Sequence, residues 1–381
     1  MTPLEILRAL VAIPSVSSVS NLPVLAWVDD FLRPLGWQTQ TQRYTDEAGI
    51  EKANLLAYAP TIDKHIAANT ASPLAFVCHT DTVPPADGWH DPYTLQIADG
   101  HAHGLGSCDV KAALACFLAA ALPQQAIQSR KSIQPGLALV LTADEEIGCK
   151  GMDRLLASLP QLRFARAIVS EPTSLRPAVA GKGYGLARVT VRGREAHSAF
   201  PREGVSAIAA AAELVPRILA ASTCATHSLF DPPSTTFNIG TITGGTAKNI
   251  LPGECSFLVE WRAVPNETPG AIPALLSEIL RAEQDKLQPG VTVTLEVLRD
   301  EPGFDRATVA PLADHLAAAL ARPLTGISFG SEATRVARIA GEVVVLGPGD
   351  MHTAHSDREC VPIAELNEWT QILRDLFRHA F

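Results

Sequence analysis

The sequence predicts an α/β protein: a mostly parallel central sheet flanked by helices, interrupted by an inserted α+β domain of order β-α-β-β-α-β. Three observations carry this. Toward both ends of the chain, short and continuously apolar segments alternate with helical ones, the pattern of a parallel sheet buried on both faces. Between them lies a stretch whose strands alternate apolar and polar residues, the pattern of a sheet with one wet face. The chain's 381 residues also exceed what one hydrophobic core usually organises, so two domains are expected.

The elements follow in order. LEILRALVAI (4–13) and LPVLAWVDDFLRPLG (22–36) carry apolar residues at helical spacing. ANLLAYA (53–59), PLAFVCHTD (73–81), GLALVLTAD (136–144) and FARAIVSEP (164–172) are apolar runs bounded by Pro, Gly or Asp, and read as buried strands. VKAALACFLAAAL (110–122) is a helix. The character changes after about Pro177. GYGLARVTVRG (183–193) alternates like a strand, and GVSAIAAAAELVPRILAAS (204–222) reads as a helix in which Pro216 is awkward, lacking an N–H to donate. TTFNIGTITGG (235–245) and GECSFLVEWRAV (253–264) are strands, TPGAIPALLSEILRAEQ (268–284) a helix, and VTVTLEVLR (291–299) a closing strand. From about Asp300 the first pattern returns: a helix at VAPLADHLAAALA, a strand at EVVVLG and a helix at IAELNEWTQILRDLFRHA (363–380). The expected domains are therefore 1–177 with 300–381, and 178–299 as the insertion.

Bulk properties exclude some functions. A formal net charge of -9 argues against a nucleic-acid partner, which requires a basic face. No stretch reads as a membrane span. The opening MTPLEILRALVAIPSVSS is interrupted by Glu5 and Arg8, unlike a signal peptide. The seven cysteines are scattered and form no CxxC pair, which fits free thiols and a cytoplasmic location.

In open α/β sheets, ligands bind beyond the carboxyl ends of the strands. His79-Thr80-Asp81, Asp144-Glu145-Glu146 and Glu171 follow directly on apolar strands, and His355 lies beyond EVVVLG. Asp109 sits in the Gly-rich GLGSCD at a helix start. Such a mixed nitrogen and oxygen set suits zinc, cobalt or manganese in a hydrolytic site. Asp81, two residues from His79 in extended chain, points the same way and can orient its imidazole. Adjacent Glu145 and Glu146 point differently, so one can bind metal while the other handles protons. Each residue also has a plainer reading. Asp109 can cap the helix that follows, the two glutamates can be solvated loop residues, Glu171 before Pro172 can belong to an ordinary turn, and His352 competes with His355.

The motifs HTDTVP (79–84), GLGSCDVKAAL (104–114), TADEEIG (142–148) and SEPTSLRPAVAGKGYG (170–185) are followed by AHSAFP, FNIGTITGGTAKNI, EWRAVP and LGPGDMHTAHSDREC. In this order, and over essentially the whole chain, they resemble the M20 family of metallopeptidases and deacylases. Each is weak alone; the ordered set is specific. Within the family, GLGSCD, ADEE, EPTSLRP and LGPG are most similar to the acetylornithine deacetylases. Leu105 stands where the related succinyl-diaminopimelate desuccinylases usually carry Arg. Ala112 and Cys108 depart from the commonest pattern, but neither occupies a ligand position.

The resemblance implies a divalent metal centre of one or two ions, zinc or cobalt. Asp109 would bridge the ions, His79 and Glu171 would complete one site, and Glu146 and His355 the other. Glu145 would be the general base and acid, with Asp81 supporting His79. The lid histidine, His197, would act on the other protomer's site, which implies a homodimer through the inserted domain. Asn249 and Arg262 would hold the substrate, and a cis peptide is expected between Asp109 and Val110. The implied substrate is a small N-acetyl amino acid, acetylornithine or acetylcitrulline, deacetylated in arginine biosynthesis. A dipeptidase, carboxypeptidase or other N-acyl amino acid deacylase is the alternative. The complete ligand set and Glu145 argue against a non-catalytic binding protein. Lys182, Glu332 and Arg335 are candidates for the end of the pocket that meets the substrate side chain.

Overall fold

Four largely apolar segments form the parallel heart of the larger sheet in the computed structural model, which describes residues 1–60, 72–123 and 136–378. They lie side by side in the order Leu137–Thr142, Ser72–His79, Phe164–Val169 and Val343–Val345. Leu137–Thr142 and Val343–Val345 are buried at every position, as strands covered on both faces must be. The flanks are antiparallel. Glu51–Tyr58 pairs with Leu137–Thr142, and Gln38–Thr45 pairs with Glu51–Tyr58. On the other side Ala178–Gly181 pairs with Val343–Val345, and Thr325–Ile327 completes eight strands.

Gln38–Thr45, with the sequence QTQTQRYT, escapes apolar patterning because it is an edge strand without a buried residue. Pro3–Val11 begins on a capping box: the Thr2 hydroxyl accepts from the Glu5 N–H, and the Glu5 carboxylate accepts from the Thr2 N–H. Lys111–Ala121 is buried along its whole length and packs against Pro3–Val11 and Ile363–Arg378. Phe117 on this helix lies 4.8 Å from Phe76 of the sheet and 5.1 Å from Phe377 of the last helix, ring centre to ring centre. These contacts join sheet and helices in one core. The end of the last expected helix, at 379–380, lies outside the described residues.

By internal contacts the chain divides into two compact units. One comprises Met1–Val179, Arg306–Thr325 and Ser331–Phe381; the other comprises Ala180–Asp305 and Gly326–Gly330. The second unit has the expected β-α-β-β-α-β order. Its antiparallel sheet runs Thr236–Gly244, Glu254–Arg262, Tyr184–Arg192, Thr292–Glu301. Strict alternation buries Ala187, Val189 and Val191 with Phe257, Val259 and Trp261, and the helices Ala207–Leu219 and Ala271–Gln284 supply Leu214, Ile218, Leu276 and Leu280 to the same core. Pro216 is tolerated on the exposed side of that helix's last turn, where the backbone group that loses its partner faces solvent. Gly185 is required: a Cβ there would fall 1.7 Å from the Trp261 ring. Among the described residues, no helix is long and apolar enough to cross a membrane.

Candidate metal centre

Parallel strands in register end together, and their ends carry the chemistry. His79 closes Ser72–His79 opposite Thr142, so the turn Asp144-Glu145-Glu146 begins beside it. Glu171 follows Phe164–Val169 at the same edge. The His79 imidazole is 97% buried and fixed from both sides. Its Nε2 lies 3.1 Å from Asp109 Oδ1, and its Nδ1 lies 3.0 Å from the Asp81 carbonyl oxygen.

Asp81 therefore supports His79 mainly through its backbone, with its carboxylate farther off at 3.6 Å. That carboxylate accepts from the Ser17 hydroxyl at 2.7 Å and from the backbone N–H groups of Glu145 and Glu146 at 3.1 and 3.3 Å. It thus orients the glutamate turn as well. Beneath this turn the Lys52 ammonium, fully buried, donates to Asp144 at 2.9 Å and to the Ser17 carbonyl at 2.7 Å. The Tyr44 hydroxyl donates to the other Asp144 oxygen. Sequence reasoning missed this support; its one signal was a lysine inside the apolar strand segment EKANLLAY.

Asp109 does not cap the helix that follows, since no side chain caps Lys111–Ala121. Its carboxylate spans two histidines: Oδ1 faces His79, and Oδ2 lies 3.2 Å from His355 Nε2. The same His355 nitrogen is 3.2 Å from Glu146 Oε2. The Asp109–Val110 peptide is cis. His352 is excluded from the cluster; it is exposed and bound to Asp350. Cys108 turns its thiol to the Asp350 carbonyl. Atoms of His79, Asp109 and Glu146 suited to one metal ion lie within 4.8 Å of one another.

The electrostatics show what this arrangement lacks. Against the cost of burial, hydrogen bonds to His355 and His79 hold Asp109 below the ordinary carboxylate range. Its bonds to Asp109 and Glu146 push His355 up to about 10. Burial and the neighbouring Asp109 and Glu145 charges push Glu171 far up, and burial with Glu146, Glu332 and Asp81 nearby raises Glu145 to about 8 despite His79. Glu146 Oε1 and Glu171 Oε1 are buried without a hydrogen-bond partner among the described residues. Desolvated carboxylates left unpaired are costly, and a divalent cation relieves that cost. The nitrogen and oxygen donors are of the right kind for such an ion. Among the described residues, the Glu145 carboxylate accepts only from the Cys149 thiol, at 3.3 Å.

The expected residues His197, Asn249 and Arg262 lie in the second unit. Pairing of Ala196–His197 with Ile250–Leu251 brings the His197 and Asn249 segments together, and the Ser198 N–H donates to the Asn249 carbonyl. His197 is exposed, with its Nδ1 accepting from the Ala199 N–H. Arg262 lies over the Tyr184 ring at 4.4 Å and donates to Glu260 at 2.7 Å. Lys182, Glu332 and Arg335, the candidates for the side-chain end of the pocket, are all buried. Lys182 donates to the carbonyls of Pro232 and Ser234, Arg335 binds Asp153, and Glu332 accepts from Thr142.

Residues 75–379 match the model of peptidase family M20/M25/M40. An acetylornithine deacetylase of Myxococcus xanthus is 38% identical over 378 residues, covering 98% of this chain and 96% of that one. An acetylornithine deacetylase of Yersinia pestis is 30% identical over 388 aligned residues, covering 99% and 97%. Among solved structures, the aminopeptidase PepT from Bacillus cereus aligns with a TM-score of 0.75 at 23% identity, covering 99% of this chain and 97% of that one. A dinuclear metal binding peptidase of the M20 family from Bacillus subtilis aligns with a TM-score of 0.70 at 13% identity, covering 99% and 96%. The chain belongs to peptidase family M20/M25/M40. It is a metal-dependent amidohydrolase.

Proposed function

We propose that this hydrolase removes the N2-acetyl group of acetylornithine or acetylcitrulline, releasing acetate and the free amino acid in arginine biosynthesis. The observation that carries the reading is the 38% identity, over nearly the full length of both chains, with a protein named acetylornithine deacetylase. Asp109, together with His79 and Glu171 and with Glu146 and His355, would hold one or two divalent ions, zinc or cobalt. The Glu146 and Glu171 carboxylate oxygens that have no hydrogen-bond partner among the described residues support that assignment. A bound divalent ion supplies Lewis acidity toward the acetyl carbonyl and toward water. Glu145 takes the proton of the attacking water and delivers it to the departing α-amine. Its carboxylate forms no ion pair among the described residues and accepts only from the Cys149 thiol, which supports this role. Asp81 keeps His79 and the glutamate turn in place. Arg262 and Asn249 hold the substrate, Arg262 through its carboxylate. His197, exposed on the second unit, polarises the scissile carbonyl in the other protomer of a cytoplasmic homodimer.

The test is kcat/KM on acetylornithine, acetylcitrulline and unacetylated dipeptides with cobalt or zinc supplied. The acetylated amino acids are expected to be far the better substrates, and their ratio names the natural one. Preference for dipeptides would reassign the chain to the peptidases of its family. Metal binding without hydrolysis of any N-acyl amino acid would sink the deacetylase reading.

A further inference from the structure

One buried carboxylate beside the cluster takes no part in the mechanism above. Glu359 is 99% buried, and its two oxygens accept three backbone N–H groups from one loop. Oε2 accepts from Gly106 at 3.0 Å, and Oε1 accepts from Cys108 at 2.9 Å and Asp109 at 3.0 Å. Consecutive N–H groups turned inward form a concave seat for an anion, and here the protein fills that seat with its own side chain. The loop closes tightly at Gly106, where φ is +74° and a Cβ would fall 2.8 Å from the Thr82 methyl.

Glu359 also lies four residues after His355. The next residues, Cys360–Pro362, pair with His101–His103, the strand that leads into the same loop. One carboxylate thus ties the segment carrying His355 to the loop carrying Asp109. These are the two side chains that meet at 3.2 Å.

We propose that Glu359 is a positioning residue of the metal centre: by gripping the N–H groups of Gly106, Cys108 and Asp109 it sets the separation of Asp109 from His355 and so tunes metal affinity. The inference rests on reading Asp109 and His355 as ligands. Glu359→Gln keeps the size but turns an NH₂ group toward N–H donors, so at least one bond is replaced by a donor facing a donor. A grip on ligand-bearing backbone is expected to act on affinity as supporting hydrogen bonds to metal ligands do, where a lost partner costs about ten- to hundredfold.

The experiment titrates Co²⁺ into metal-stripped full-length protein, reading affinity and the visible absorption bands. Glu342→Gln is the control. Glu342 is likewise buried and accepts two backbone N–H groups, from Leu312 and Ala313, but at the start of Pro311–Leu320. Glu359→Gln is expected to weaken Co²⁺ binding about ten- to hundredfold and to shift the bands. Glu342→Gln is expected to lower the melting temperature and leave Co²⁺ affinity at the wild-type value. Wild-type affinity in Glu359→Gln, or equal weakening in both variants, would overturn the proposal. If Glu359→Gln does not fold, Glu359→Asp takes its place, keeping the charge but shortening the reach; unchanged affinity there overturns the proposal equally. Wild-type protein that takes up no Co²⁺ would instead remove the metal-centre reading on which this one rests.

Discussion

Glu145 and Glu146 are neighbours with different attachments. The backbone N–H groups of both go to the Asp81 carboxylate, yet only Glu146 reaches His355, while Glu145 meets the Cys149 thiol. On the proposed mechanism, substituting Glu145 therefore removes the proton carrier without removing a contact of the cluster. Glu145→Ala is expected to lower kcat by at least the 10²–10⁴-fold typical of general acid–base groups, with metal content per protomer unchanged. A near-normal rate, or metal lost together with activity, would take the role away from Glu145. The residues alone show that two adjacent glutamates must diverge; which one turns to the histidine depends on the Asp81 bonds, and those span 64 and 65 residues of chain. His352 and His355 repeat the lesson. Both follow the same strand, and only the fold turns one toward Asp109 and leaves the other exposed beside Asp350.

At the level of elements, the glutamate turn rests on two strands of unequal visibility. Glu51–Tyr58 is legible because its apolar residues must be covered on both faces. Gln38–Thr45 is not, because its polar side chains satisfy a loop as well as an edge strand. Together they supply Lys52 and Tyr44 to Asp144, whose backbone begins the turn. The short strands Gln96–Ala98, His101–His103 and Cys360–Pro362 were equally hidden, since only long-range pairing makes them strands. The Lys52–Asp144 pair is nearly sealed from water on both sides. Removing one partner of such a pair leaves an uncompensated buried charge and typically costs about 3–5 kcal/mol. Lys52→Met is expected to destabilise the first unit by that order in urea unfolding and to lower turnover through displacement of Glu145 and Glu146. A loss below about 1 kcal/mol, the scale of an exposed pair, would show that Lys52 is dispensable beneath the turn.

Across the whole molecule, the change from continuous apolar runs to strict alternation marks where a sheet buried on both faces gives way to one with a wet face. The second unit accordingly has its own core, centred on Trp261, Phe257 and Leu276. The short return of Gly326–Gly330 to that unit was not legible, because five residues carry no periodicity of their own. The division has a thermodynamic consequence. His79, Asp109, Glu146, Glu171 and His355 all belong to the first unit. An ion bound by them stabilises that unit by RT ln(1 + [L]/Kd), about 2.7 kcal/mol when free metal is a hundredfold above Kd. The second unit contributes none of these proposed ligands and would gain nothing directly. Hydrogen exchange followed by mass spectrometry separates the two, because peptides over Leu137–Thr142 and Phe164–Val169 report on one core and peptides over Tyr184–Arg192 and Glu254–Arg262 on the other. Adding a chelator is expected to speed exchange in the first pair of peptides and leave the second pair at its original rate. Equal acceleration in both would mean that the units open as one cooperative body, and that the metal stabilises the whole chain rather than the sheet whose strand ends carry its proposed ligands.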